Sequence, residues 1–262
     1  LIKGRVSAQM NSLVSIGITA FNAQDTIERA VASALAQTWR PIEVVVVDDC
    51  SSDDTATLLE GLALQHKELR IIRHCNNGGV AVARNSIINA AKGEFIAFFD
   101  DDDESAPDRV GLQVNRVCDY ERTHLEIGPV ICHAAREVLY PDGSVRIEPT
   151  MGERTDRPAP SGIAVARRVL LGTPLLDGYG ACPTCSQLAR TQTYRTLGGF
   201  DPEFRRSEDT EFNVRLALAG GAFVGIARPL VLQRMTLSSD KSLGGEFNYA
   251  VLMLDKHQAV AE

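Results

Sequence analysis

Phe95-Ile96-Ala97-Phe98-Phe99 is an unbroken apolar run that stops at four consecutive aspartates, Asp100 to Asp103. Apolar residues on both alternating faces are expected of a strand inside a sheet covered on both sides. The acidic ending is costly. Two carboxylates about 6 Å apart repel by roughly 3 kcal/mol at an effective dielectric near 20, and a divalent cation would relieve that repulsion. In an extended segment Asp100 and Asp102, at i and i+2, project to one side and can share a hard cation, while Asp101 points elsewhere. An isolated acidic run reads more readily as a solvated turn, with Asp103 or Glu104 capping a following helix, because charge runs are usually solvent faces. The buried strand leading into this one favours the ligand site.

The chain before this run alternates regularly. Val14 to Thr19 and Ile42 to Val47 read as buried strands, with a shorter one at Leu69 to Ile72. Asp25-Thr26-Ile27-Glu28 supplies an N-cap and capping-box partner for a helix to about Gln37. Ser51-Ser52-Asp53-Asp54-Thr55 caps a second helix, and Asn76-Asn77-Gly78-Gly79 opens a third over Val80 to Ala91. The resulting β-α-β-α-β-α-β order predicts a mainly parallel sheet with helices on both faces. Ligands of such sheets gather at the carboxyl ends of the strands, where this chain carries Thr19, Asp48 with Asp49, and Asp100 to Asp103. No GxGxxG follows the first strand, which argues against a Rossmann dinucleotide site.

The second half is less regular. Pro141-Asp142-Gly143 predicts a hairpin between Val130–Tyr140 and Ser144–Glu148. Residues 149–162 and 172–184 read as loops around a helix over 163–171. A short strand at 186–190, a short helix at 191–195, a helix headed by Ser207-Glu208-Asp209 and a strand from Ala222 to Leu232 follow. Ser238 to Gly245 reads as mobile, and a last amphipathic helix would use Phe247, Val251, Leu254 and Val260. The reading divides the chain into an N-terminal extension (1–12, with residues 1–9 appended before Met10), a regular first half (13–104), a less regular second half (105–235) and a C-terminal loop and helix (236–262).

Composition narrows the partners. A net charge of -7, with no basic stripe, argues against nucleic acid. No apolar stretch reaches the roughly 20 residues of a membrane span, which predicts a cytoplasmic protein and leaves only peripheral membrane association open. The six cysteines lack framework spacing, and Cys182-Pro183-Thr184-Cys185 has no second pair or nearby histidine, so reduced thiols are expected.

Taken in order, these pieces resemble the family 2 inverting glycosyltransferases of the GT-A fold over almost all of residues 13–235. The resemblance rests on Val14-Ser15-Ile16 to Phe21-Asn22, Ser33 through Gln37-Thr38, Val47-Asp48-Asp49 with Ser51-Ser52-Asp53, and Gly79 through Ala83-Arg84-Asn85. It continues through Gly93-Glu94-Phe95 to Asp103 and Pro107, Gly198-Gly199-Phe200-Asp201, and Glu208-Asp209. It implies a GT-A α/β fold with a small antiparallel acceptor-side region, and a nucleoside-diphosphate sugar donor, with UDP-sugar favoured. It further implies a carbohydrate or glycolipid acceptor and Mn²⁺ or Mg²⁺ on a DxD motif. Hexosyl or N-acetylhexosaminyl transfer in bacterial glycan, polysaccharide or glycoconjugate synthesis would be the setting.

Carried over residue by residue, Asp102 and Asp100 match the metal ligands and Asp101 lies near the ribose or sugar. Asp49 matches the acceptor of a hydrogen bond from the base, Thr19, Phe21 and Asn22 the start of the nucleobase pocket, and Gly79 and Arg84 further donor contacts. Asp209 matches the general base, with Glu208 beside it. A carboxylate that removes the acceptor hydroxyl's proton contributes about 100- to 10,000-fold, and one displacement then inverts the anomeric centre. This mechanism expects Asp102 and Asp209 to open onto one cavity. Gln233-Arg234-Met235 stands where the family often has a histidine, so Arg234 or Lys241 is expected to supply positive charge. The QxxRW signature of processive synthases is missing, which favours single addition.

Plain structural roles compete for the same residues. Glu208 and Asp209 suit a first helical turn without catalysis, Asp49 suits a helix cap, and Phe21 suits a core. A catalytically degenerate glycan- or nucleotide-binding protein and a DxD phosphotransferase are the alternative functions. The second normally places its motif after the first strand rather than the fourth.

Overall fold

The computed structural model describes residues 12–124, 128–179, 182–235 and 243–261. The first four apolar runs form β1 (Val14–Ala20), β2 (Ile42–Asp48), β3 (Leu69–Arg73) and β4 (Phe95–Asp100), separated by α1 (Ile27–Leu35), α2 (Thr55–Gln65) and α3 (Val80–Ala90). They lie parallel in the order β3-β2-β1-β4. Register places Thr19 between Val47 and Asp100, so the polar strand ends stand level along one edge.

Period-two alternation sends side chains to opposite faces of this sheet. Ile16, Ile18, Val44, Val46, Ala97 and Phe99 pack with Ile27 and Val31 of α1. Val45, Val47, Ile96 and Phe98 pack with Ile87 and Ile88 of α3. Gly17 lets α3 approach closely, since a Cβ there would stand 2.4 Å from Ile87 Cγ2.

After β5 (Glu104–Ser105) comes α4 (Arg109–Thr123), a 15-residue helix that the sequence reading did not place. The hairpin β6 (Val130–Leu139) and β7 (Val145–Glu148) forms as expected, closed by Gly143 N–H to Tyr140 O at 2.9 Å. Then follow α5 (Gly162–Leu171), a 3₁₀ turn at Thr184–Ser186, β8 (Leu188–Arg190), α6 (Thr191–Thr196), α7 (Glu208–Leu218), β9 (Ala222–Arg234), α8 (Leu243–Lys256) and α9 (Gln258–Ala261). β8 is antiparallel to both β4 and β6, β9 is parallel to β6, and β5 closes the edge against β9, giving one nine-stranded sheet among the described residues. The result is the mainly parallel α/β sheet with an antiparallel region that the sequence implies.

Three local expectations are corrected. Thr26 makes no side-chain cap on α1. Its hydroxyl donates to Ala23 O at 3.3 Å, and the backbone N–H groups just ahead of it bind the next loop: Asn22 N–H donates to Ser51 Oγ (2.9 Å), Ala23 N–H to Thr55 Oγ1 (2.8 Å) and Gln24 N–H to Asp53 Oδ2 (3.1 Å). Residues 149–162 are not simply a surface loop. Thr150 and Met151 are buried, and the segment docks on β9 through Gly225 N–H to Gly152 O (2.7 Å) and Phe223 N–H to Pro160 O (2.9 Å). In α8, Val251 and Leu254 are exposed while Met253 is buried, as is Val260 of α9. Fully buried Glu211 of α7, paired to Lys256 at 2.8 Å, fixes which face of α8 turns inward. The side chain of Phe247, and Ser238 to Ser242 of the segment read as mobile, lie outside the described residues.

Candidate active site

Thr19, Phe21, Asp49, Gly79, Arg84, Asp100, Asp101 and Asp102 line one cleft of about 840 Å³ at the carboxyl edge of β1, β2 and β4. Its volume lies within the range of small-molecule sites. The sheet brings together residues up to 83 positions apart, and eight of the eleven site residues read from sequence meet there. Asn22 does not line the cleft: its Oδ1 accepts from Ser52 N–H at 2.8 Å, tying two loops. The cleft also contains Arg205, Arg206 and Tyr249, which no motif in the sequence singled out.

The acidic run is not extended beyond Asp100. The strand ends there and Asp101 and Asp102 form a turn, so the i, i+2 argument for their directions fails. Chain reversal nevertheless leaves all three on the cleft wall. Asp101 accepts a hydrogen bond from Phe21 N–H at 3.2 Å, and its carboxyl is raised to about 7 by burial and by the charges of Asp102 and Asp100. Behind it Asp103 is buried; burial and the charges of Asp100 and Asp102 push it up to about 8. Ligand atoms of Asp100, Asp103 and Cys185 all lie within 4.8 Å of one another, and Asp103 Oδ2 has no hydrogen-bond partner among the described residues. Crowded carboxylates with an unsatisfied oxygen fit a divalent cation.

Asp49 is almost fully buried and commits most of its carboxylate to the protein itself. Gly78 N–H and Gly79 N–H donate to it at 3.0 and 2.7 Å, and His74 Nδ1 lies at 2.6 Å. It therefore holds the turn ahead of α3, not the helix after Ser52. Gly79, at φ +88° and ψ 165°, occupies a region essentially reserved for glycine.

Arg84 is the hinge of the site. It is buried, bonds Glu208 through one amino group and Asp100 Oδ1 at 3.2 Å through the other, and lies 5.5 Å above the Phe200 ring. Despite burial, the charges of Glu208, Asp100 and Asp209 hold its pKa above the ordinary arginine value. Glu208 is raised, because burial outweighs the attraction of Arg84.

Asp209 lines a second cavity of about 240 Å³ with Met151, Arg168, Val169, Gly172, Cys182, Pro183, Thr210 and Asn213. The expectation that Asp102 and Asp209 open onto one cavity is corrected: Asp102 lines the larger cleft and Asp209 the smaller cavity, and the link between them is Arg84 of the larger cleft bonded to Glu208, the chain neighbour of Asp209. Arg234 pairs with Glu104 at 2.9 Å and does not line the larger cleft, whose added cations are Arg205 and Arg206. Lys241 lies outside the described residues. Burial pushes the Cys182 thiol up to about 12 and Cys185 well above its usual value, in keeping with unreactive thiols.

A parallel sheet with its ligand cleft at the acidic ends of β2 and β4, flanked by a smaller antiparallel region, is the architecture of GT-A proteins. The sequence profile described as Glycosyl transferase family 2 matches residues 15–154, more than half of the chain, and the chain belongs to that family. Succinoglycan biosynthesis protein ExoO of Rhizobium meliloti is 45% identical over 103 residues, covering 39% of this chain and 29% of that protein. The UDP-Glc:alpha-D-GlcNAc-diphosphoundecaprenol beta-1,3-glucosyltransferase WfaP of Escherichia coli is 43% identical over 105 residues, covering 39% and 40%. The chain thus spans less than half the length of these relatives. Among solved structures, S. aureus TarS 1–349 in complex with UDP-GlcNAc aligns with a TM-score of 0.68 at 20% identity, covering 93% of this chain and 66% of that one. No helix among the described residues is long and apolar enough to cross a membrane.

Proposed function

We propose that the chain carries the catalytic domain of an inverting glycosyltransferase that moves a sugar from a UDP-type donor to a hydroxyl of a carbohydrate or glycolipid acceptor in bacterial polysaccharide synthesis. The observation that carries this reading is the Arg84 bridge, which joins the acidic end of β4 in the larger cleft to the first turn of α7 beside Asp209. The donor occupies the larger cleft and the acceptor hydroxyl enters the smaller cavity. A relative named for a UDP-glucose reaction and a neighbour solved with UDP-GlcNAc support the choice of donor.

In this reading Asp49 accepts a hydrogen bond from the base, and Phe21, half exposed at the rim, covers the ring. Arg205 and Arg206 face the diphosphate, where planar guanidinium groups suit phosphate oxygens. Asp100 and Asp102 would hold Mn²⁺ or Mg²⁺, which would supply positive charge to offset that of the diphosphate leaving group. Glu208 fixes Arg84, and Arg84 in turn holds Asp100 in place. Asp209 takes the proton of the acceptor hydroxyl as the new bond forms at the anomeric carbon on the face opposite the leaving group, which inverts that carbon.

Thermal-shift measurement with nucleoside diphosphates tests the donor assignment, because a ligand selective for the folded state stabilises it by about 2.7 kcal/mol at a hundredfold excess over Kd. The expected order is UDP above dTDP above GDP, each dependent on Mn²⁺. Equal shifts for all three, or shifts unchanged by the metal, would refute it.

A further inference from the structure

The carboxylate of Asp49 is held by three donors. Oδ1 lies 2.6 Å from His74 Nδ1 and accepts Gly78 N–H at 3.0 Å, and Oδ2 accepts Gly79 N–H at 2.7 Å. A carboxylate offers about four acceptor directions, so one remains on Oδ2, in a residue that forms part of the cleft wall. Two backbone N–H groups already donate to this carboxylate, which makes it the acceptor in the pair and His74 Nδ1 the donor. Nε2, 2.9 Å from Ser86 Oγ, accepts the hydroxyl proton when the ring is neutral. The histidine is fixed from a third side, because its backbone N–H donates to Asp48 O at 2.9 Å. Ser86 sits on α3, the helix whose preceding turn supplies the two glycine donors. The network therefore locks the ends of β2 and β3 and one side of α3 around a single free acceptor.

We propose that His74, oriented by Ser86, is a positioning residue that aims the remaining acceptor of Asp49 at a ring N–H of the donor base. The site thereby selects bases with a protonated ring nitrogen between carbonyl groups, such as uracil, over cytosine. Cytosine presents an acceptor at that ring nitrogen, which would leave two lone pairs opposed and the carboxylate unpaired. This inference rests on the assignment of the larger cleft to the donor.

Calorimetric titration of the full chain with UDP, CDP and pyrophosphate, in Mn²⁺ buffer, tests it. The wild type should prefer UDP to CDP by at least about tenfold, the scale of one hydrogen bond to a charged group. His74→Ala should weaken UDP by about tenfold while CDP and pyrophosphate stay within about twofold, so a folded, phosphate-competent protein loses only its base discrimination. His74→Asn, whose amide N–H can stand where Nδ1–H stood, should recover most of the loss, and Ser86→Ala should show a smaller loss in the same direction. Equal weakening of UDP and CDP by His74→Ala, or an unchanged ratio, overturns the role of His74. Asp49→Asn separates the two levels. If that variant keeps the wild-type UDP/CDP ratio, the base assignment of the cleft itself falls; if it abolishes the preference while His74→Ala does not, only the role of His74 falls.

Discussion

Replacing Arg84 by methionine removes the cation between the cleft and α7 while keeping most of its apolar bulk. The side chains of Arg84 and Glu208 are 6% and 8% exposed, so this ion pair sits where water screens little, whereas Asp100, at 29%, stays partly hydrated without its partner. Breaking a buried pair by removing one member costs about 3–5 kcal/mol. Glu208 can escape part of that cost by taking up a proton, since burial already raises its pKa, which puts the expected loss near about 3 kcal/mol. For a chain of this size that corresponds to roughly 6–12 °C in Tm. Urea unfolding followed by circular dichroism, with an unchanged m value, measures it. Arg84→Met/Glu208→Met should be more stable than the sum of the two single losses by about 2 kcal/mol, because the second substitution removes the stranded carboxylate. A single-variant loss below about 0.5 kcal/mol, or strict additivity, would refute the claim that this pair is a buried coupling between the two cavities.

Two further predictions concern other parts of the molecule. Arg205→Gln/Arg206→Gln should weaken UDP binding by about tenfold or more and leave uridine nearly unaffected, because the lost contacts are to phosphate; calorimetry with both ligands checks this. His133 is fully buried, neither ring nitrogen has a well-placed hydrogen-bond partner among the described residues, and burial pushes its pKa down to about 3, so the folded chain resists protonation there. Because the unfolded chain binds that proton near about pH 6.5 and the folded one does not, stability should fall as pH drops from about 6.5 toward about 3, and His133→Leu should flatten that part of the profile measured by urea unfolding.

The strands and their polar ends were legible because period-two apolar runs with abrupt acidic stops have few other ways to fold. Helix α4 escaped because its inward face mixes Val110, Val114 and Val117 with Arg109 and Gln113, which are equally buried. Arg109 is satisfied by Phe98 O at 2.8 Å, Ser105 Oγ at 2.8 Å and Gln113 Oε1 at 3.0 Å, and the carbonyl of Phe98 is a partner that only the tertiary fold supplies. Local pattern cannot foresee such partners. For the same reason the smaller cavity was invisible: Met151 and Cys182 come from irregular stretches, Arg168 from α5 and Asp209 from α7, and only the tertiary fold brings them together. Asp100 and Asp102 were singled out on extended geometry that the turn at Asp101 does not have, yet the register of β1, β2 and β4 brought the same residues to one wall. Arg205 and Arg206 carry no motif; their position just ahead of Glu208 is the signal that could have found them.

The central claim is that Asp209, in the cavity next to the donor cleft, removes the acceptor proton. Its most direct test is Asp209→Asn, with donor binding measured by calorimetry and transfer by single-turnover assay on the same preparation. The account predicts UDP-sugar affinity within about twofold of wild type and transfer slowed by at least about 100-fold. Wild-type transfer by that variant would contradict it.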